Sequence, residues 1–339
     1  MRQWSGRRLL ATLAISAGLW AAAALLCLCV GSTGFSWPDA AAWEFRAPSI
    51  FVASLVGAAL AAAGVTYQAI LRNPLADPYL LGVSSGASLL VFLWALPFGT
   101  STALLASFSQ QGFAFVGALA SVAIVFLLAQ RRGRLEPITL LLVGVIVNAI
   151  NGSIFLLLYE LTLKQDTSSQ TGGIFRFLIG GIQTNITANQ KAAAALFIAL
   201  GFVLLLAISG QLNVASLGEA EAQSLGVRIH RLRWMAMIVA SLVTASAVAI
   251  SGPIGFIGLI CPHLARLIVG HDQRRVLPVA TALGAALLAL SDAGSRLLSQ
   301  ERFVATALPV GVITGLLGGP FFLLLLWQGR NRIARREGI

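Results

Sequence analysis

The sequence predicts an all-α polytopic membrane protein with about ten transmembrane helices, and three observations predict it. Of 339 residues, 58% are hydrophobic and only 10% are charged. Soluble domains carry about 25% charged residues, so this chain has too little charge to cover a soluble surface. It is also too apolar throughout to remain disordered. Long stretches without Asp, Glu, Lys or Arg recur from end to end, and a spanning helix needs about 20 mostly apolar residues. The net charge of +11 comes from basic residues set between apolar runs. That pattern reads as membrane topology rather than as a nucleic-acid surface, so no nucleic-acid partner is expected.

The charge-free runs cover 9–38, 47–71, 78–130, 137–159, 192–218, 234–265, 276–291 and 303–329. The first begins after Arg7 and Arg8, and its apolar part, Leu9 to Val30, exceeds the roughly 7–15 residues of a signal-peptide core. It lacks a clear small-residue cleavage site, so it reads as a retained helix. The 78–130 run holds two spans, separated by a loop from Pro97 to Gly112 rich in Ser, Thr, Gln and Gly. The 234–265 run is broken at Ser251-Gly252-Pro253, giving one span before the break and a shorter one from about Ile254 to Gly270. The remaining runs give one span each, and residues 1–339 form a single membrane domain.

Orientation follows from the positive-inside rule. With the amino terminus in the cytoplasm, Arg72, Arg131, Arg132, Arg134, Arg228, Arg231, Arg233, Arg274, Arg275 and the basic carboxyl tail all fall inside. Arg46, Lys164, Arg176, Lys191, Arg296 and Arg302 fall outside. Both termini are then cytoplasmic, as an even number of spans requires.

Enzyme motifs are excluded in turn. A phosphate-binding loop needs Gly-Lys followed by Ser or Thr. The two lysines, Lys164 and Lys191, are followed by Gln165 and Ala192. The three histidines make no zinc-type pair. Gly82-Val83-Ser84-Ser85-Gly86 has the spacing of a nucleophile elbow but opens an apolar span with no strand before it. Small residues for close helix packing explain it better. Cys27, Cys29 and Cys261 sit in apolar runs with no metal-type spacing and read as small buried hydrophobes. No cofactor, metal site or catalytic residue is expected.

Several polar features invite a functional reading beside a structural one. Segment 210–233 lies on the inner side, and Ser216 followed by Glu219 has capping-box spacing. Ala220 to Leu225 favours helix, and Gly226 is a natural stop. The element is either an amphipathic connector on the lipid surface or a docking element for a soluble partner. Glu219 and Glu221 are poor choices against anionic lipid, which favours docking. Asn73-Pro74-Leu75-Ala76-Asp77-Pro78 marks a rigid turn, suited to a gate or to a plain reversal. The glycine-dense segment from Gly252 to Gly258 is either a tight crossing or a broken helix lining a solute path. Asp292 with Arg296, and His263 with Arg266, lie within spans at pairing distance along a helix. They read as local charge neutralisation or as functional groups. Phe175-Arg176-Phe177-Leu178 reads as a segment along the interface.

These residues also resemble the FecCD-type permeases, the transmembrane subunits of ABC importers for iron chelates, haem and cobalamin. The likeness runs through Arg46-Ala47-Pro48, the small residues from Gly57 to Gly64, Gln68, the turn from Asn73 to Pro78, and Leu81 to Ala87. It continues through Leu217-Gly218-Glu219, Leu225-Gly226-Val227, Gly252 to Leu259 and Pro262 to Arg266. It ends with Leu308 to Val312 and Gly318 to Phe322.

The resemblance implies ten helices per subunit, as in cobalamin-uptake permeases, and two subunits, as a homodimer or a heterodimer of close paralogues, around a central path in the inner membrane. It implies two cytoplasmic ATP-binding subunits and a periplasmic or extracellular solute-binding protein, so ATP is hydrolysed on another chain. The coupling element maps to the loop at about 212–230, with Leu217, Gly218, Glu219, Glu221, Leu225 and Gly226. The cytoplasmic gate maps to Asn73 and Leu75 with Pro137 and Ile138. The family often carries small hydroxyl residues where Ile138 stands. Docking of the binding protein maps to Arg46 and Arg296. The family's usual second arginine is Ser49 here, so that contact is either lost or moved to Arg302. The solute is an iron chelate (a siderophore), haem or cobalamin. An ion-coupled secondary transporter is the alternative, but the second to sixth spans show no clear mid-membrane Asp, Glu, Lys or His to couple an ion.

Overall fold

The computed structural model describes residues 6–31, 34–95, 109–131, 133–162, 177–183, 186–298 and 308–336. Arg302, the loop residues 97–108 and the segment 163–176, which includes Phe175 and Arg176, lie outside them.

Helices dominate. In chain order they are α1 (Gly6–Cys29), α2 (Ala40–Leu71), α3 (Val83–Ala95), α4 (Gln110–Ala129), α5 (Pro137–Thr162) and α6 (Ala188–Ala215). They continue with α7 (Glu219–Ser224), α8 (Ile229–Ser251), α9 (Ile257–Val269), α10 (Gln273–Leu298) and α11 (Val310–Arg336). A 3₁₀ turn, Pro78–Leu81, precedes α3. Two tiny antiparallel hairpins close the turns between helices: β1 (Val30–Gly31) with β2 (Gly34–Phe35), and β3 (Gln130–Arg131) with β4 (Arg134–Leu135).

The ten apolar segments expected from sequence are ten apolar helices. Seven are long enough to cross a membrane, whereas Val83–Ala95, Ile257–Val269 and Val310–Leu324 are shorter. The second span starts earlier than its charge-free run, at Ala40, because α2 continues through Arg46 and Pro48. Asp39 caps its start by accepting from the Ala42 amide at 2.7 Å. Proline is tolerated inside such a helix because the freed backbone group finds partners within a packed bundle.

Helix α2 is the axis of the core, buried over most of its length. Two glycine pairs explain how closely it is packed. A Cβ on Gly57 would lie 2.1 Å from the Gly284 carbonyl oxygen of α10, and one on Gly64 would lie 2.1 Å from that of Gly258 on α9. Small residues let helix backbones approach where lipid supplies no hydrophobic drive between helices. Gly86 of α3 meets Gly117 of α4 in the same way. The Gly82–Gly86 motif is therefore a packing feature.

Helices α3 and α9 have 13 residues each. At 1.5 Å per residue such a helix is about 20 Å long, against a hydrocarbon core of about 30 Å. The missing length is made up by irregular backbone, and three such segments meet. Gly252 ends α8 with φ of 66°. The Ile254 amide then donates to the Tyr79 hydroxyl at 2.5 Å. Gly180 packs on the Pro253 carbonyl and accepts from the Gly311 amide at 2.9 Å. Phe256 enters α9 with φ of 70°, its ring seated over Gly318. The break in the 234–265 run is thus a real discontinuity, with the Ile254 amide and the Gly252 carbonyl bonded within the protein. Phe177, expected along the interface, is buried instead, with its carbonyl against Gly252.

Candidate functional site

The turns around α7 gather at one end of the bundle. Helix α7 differs from the sequence expectation at its start. Gly218, with φ of 154°, is the N-cap, and no side chain caps the helix. Ser216 instead donates back to the Asn213 carbonyl at 2.7 Å, because the chain is still leaving α6 at that point. Gly218 also makes room for the Glu221 carboxylate, which a Cβ there would meet at 1.9 Å. Ala222 is the one α7 residue buried against the bundle. Leu217 and Leu225, which flank the helix, are each 61% exposed.

Glu219 does not point outward alone. Its carboxylate accepts from Arg233 of α8 at 2.6 Å. The hydrogen bond from Arg233 holds its carboxyl below the usual carboxylate range, against some burial, and the charges of Arg72 and His230 add to the effect. The other terminal nitrogen of Arg233 donates to the Leu135 carbonyl of β4 at 2.6 Å. Sequence reasoning counted Arg233 among the basic residues that set orientation, yet it is only 3% exposed. Its neighbour Trp234 donates to the Gly133 carbonyl at 3.2 Å and sits edge-on to Phe126. Beside these, Asn213 ties the end of α6 to Asp272 at 2.7 Å.

The residues expected at the gate occupy two separate places. Asn73 accepts from the Leu75 amide at 2.9 Å, which makes the turn after α2 rigid. Leu75 lines a cavity of about 190 Å³ with Phe256, Leu259, His263 and Phe321. Pro137 is the first residue of α5, where its missing N–H costs nothing. Ile138 follows it and is 82% exposed. Helix α5 bears the network that sequence reasoning missed. Asn148 donates to the Tyr79 carbonyl at 2.9 Å and accepts from Ser85 at 2.6 Å. Asn151 donates to Ser85 and to Ser121. Two asparagines in an otherwise apolar run were the available signal, since a polar group in hydrocarbon needs a partner.

At the far end of the bundle, Arg46 and Arg296 come together on α1. Arg46 donates to the Leu28 carbonyl at 2.8 Å, passing over Gly31, and Arg296 donates to the Cys27 carbonyl at 3.2 Å. The Cys29 carbonyl accepts from the Ser36 amide at 2.8 Å. The carbonyls in the last turn of a helix have no intrahelical partner and favour cations. Arg296 also pairs with Asp292 one turn earlier, and Ser49 donates to the same Asp292 oxygen at 2.7 Å. Ser49 thus completes this cluster. Arg266, by contrast, pairs with Gln68 at 2.6 Å rather than with His263, whose ring meets Phe321.

Among the described residues, ten apolar helices around a discontinuous centre, with a short exposed helix held at one end, define a polytopic membrane protein. The chain belongs to the FecCD transport family, whose pattern matches residues 9–328. It is 39% identical over 284 residues to the uncharacterized ABC transporter permease protein YvrB of Bacillus subtilis, covering 84% of this chain and 77% of the relative. It is 37% identical to the hemin transport system permease HmuU of Yersinia pestis, covering 85% and 84%. Other relatives are named as import-system permeases for cobalamin, Fe(3+)-citrate and molybdate. A solved metal-chelate type ABC transporter in an inward-facing conformation matches with a TM-score of 0.78 at 30% identity, covering 94% of this chain and 99% of that one.

Proposed function

We propose that this chain is the transmembrane permease subunit of a binding-protein-dependent ABC importer in the bacterial inner membrane. In this reading both termini and α7 face the cytoplasm, two permease subunits enclose the path, and two separate ATPase subunits dock on α7. The binding protein docks at the end where Arg46 and Arg296 lie, and Arg302 is a further docking residue in this reading. Asn73, Leu75, Pro137 and Ile138 narrow the cytoplasmic exit. The solute is an iron chelate, haem or cobalamin, in keeping with what several relatives are named for.

The observation that carries this reading is the pair of exposed leucines on either side of α7. Large apolar side chains anchored around a small buried contact are what a partner's groove receives, and such anchors supply most of an interface's energy. Glu219 and Glu221 beside them give the surface a charge that anionic lipid would repel.

The test is reconstitution in proteoliposomes. The chain purified alone is expected to hydrolyse no ATP, and with its ATPase and binding protein it should drive ATP-dependent uptake of haemin, ferric citrate or cyanocobalamin. Hydrolysis by the isolated chain, or uptake driven by a proton gradient without ATP, would overturn the reading.

A further inference from the structure

Arg233 links α7 to the β3–β4 hairpin through its side chain. It lies on the first turns of α8 (Ile229–Ser251), buried, with its guanidinium spanning two pieces of chain that do not otherwise share a side-chain hydrogen bond among the described residues. One terminal nitrogen holds Glu219 of α7 at 2.6 Å. The other holds the Leu135 carbonyl at 2.6 Å. Leu135 ends the β3–β4 hairpin and is itself buried, two residues ahead of Pro137, where α5 begins. A second tie runs parallel to the first, from the Trp234 indole to the Gly133 carbonyl at the hairpin's tip.

We propose that Arg233 is a positioning residue that couples the docking helix to the gate: a strut joining α7 to the start of α5. This rests on the importer reading above and deepens it. A guanidinium suits the task because its planar fork offers donors in fixed directions, so it can hold a carboxylate and a carbonyl at once without slack. Lysine's single ammonium on a flexible stem can satisfy one of them well but not both in the same geometry. Burial sharpens the dependence. A hydrogen bond shielded from water is stronger, and breaking it leaves a charge or carbonyl unsatisfied. The Arg233 Nε atom is already buried without a partner among the described residues, so the side chain is held where it is for its two terminal contacts. Displacement of α7 then carries Leu135, and with it Pro137 and Ile138, along the same rigid path.

Two measurements test this on the complete complex, purified from its native membranes by a tag on this chain. Spin labels at Ser224 and Ile138, both exposed, are introduced after Cys27, Cys29 and Cys261 are replaced by alanine. The unmutated strut should give a narrow distance component between the two labels of one subunit, and that component should keep its width through the ATP cycle. Arg233→Met should broaden it, with Arg233→Lys intermediate. Uptake per ATP hydrolysed should fall about tenfold in Arg233→Met, the scale of one lost charge-assisted hydrogen bond, while the ATPase stays bound. The uptake probes are haemin, ferric citrate, cyanocobalamin and molybdate. Glu219→Ala cuts the strut from its half-exposed side and keeps the test available if Arg233→Met fails to fold; it should broaden the distribution too. An unchanged width and an unchanged uptake ratio in these variants would overturn the strut. A wild-type complex that imports none of the probes overturns the importer reading instead, and the distance measurement alone then decides the strut.

Discussion

At the far end of the bundle Arg46 and Arg296 reach inward to the last turn of α1, whereas at the α7 end Arg233 reaches sideways between two turns. The far cluster is closed: Asp292, Ser49 and the α1 carbonyls are all drawn from long helices, and Asp292 is buried. The α7 cluster is open on one side, because the Glu219 side chain is 42% exposed and sits on a helix of 6 residues. The same side chain therefore serves two ends differently. Where its acid partner is fixed in the core it locks helices together, and where the partner rides on a small exposed element it can pass a displacement on.

The largest expected effect breaks the closed cluster. Arg296→Met leaves Asp292 buried without its cation, and breaking a buried pair by removing one partner costs roughly 3–5 kcal/mol. Thermal unfolding in detergent should show that loss, and a midpoint near wild type would mean the far end is held by packing alone. The next sharpens the contrast from the open side. Leu217→Asp replaces an exposed side chain, so stability should change by no more than about 0.5 kcal/mol. Docking should nevertheless fail, and with it uptake, as measured by co-purification of the ATPase. Normal uptake in that variant would remove α7 from the interface. The smallest effect concerns pH. Because Glu219 is held below the ordinary carboxylate value of about 4.3, the Arg233 pair contributes fully above that value and is lost only as pH falls through the lower folded one. The distance between positions 138 and 224 should therefore be the same at pH 8 and pH 5.

How much of this was legible in the sequence depends on the kind of signal. The spans were legible because charge is excluded from lipid, so the charge-free runs fell on the apolar helices. The beginning of α2 was not, since Arg46 reads as an outer charge and only the structure shows it folded back onto the Leu28 carbonyl. Ser216 has the right spacing to Glu219 for a capping box, but spacing does not say where the preceding helix ends, and Ser216 is the C-cap of α6 with its hydroxyl turned back to Asn213. Arg233 was indistinguishable from Arg228 and Arg231 as a topological charge, because burial of a single cation leaves no mark in composition. Asn148 and Asn151 did leave one, as amides in an apolar run, although their partners Ser85, Ser121 and Tyr79 come from other helices and could not be named in advance.

The shortness of α9 has a consequence for how the chain is made. A segment of 13 residues that contains both His263 and Arg266 is a poor candidate for independent entry into a bilayer. Arg266 stands in the last turn of α9, with little apolar helix around it to offset its charge. Its guanidinium is answered by Gln68, and its close glycine contact by Gly64, both on α2. Synthesis runs from the amino terminus, so α2 is already in place when α9 leaves the ribosome. The bundle thus supplies the polar surface that its own late, short helix needs in order to enter the membrane.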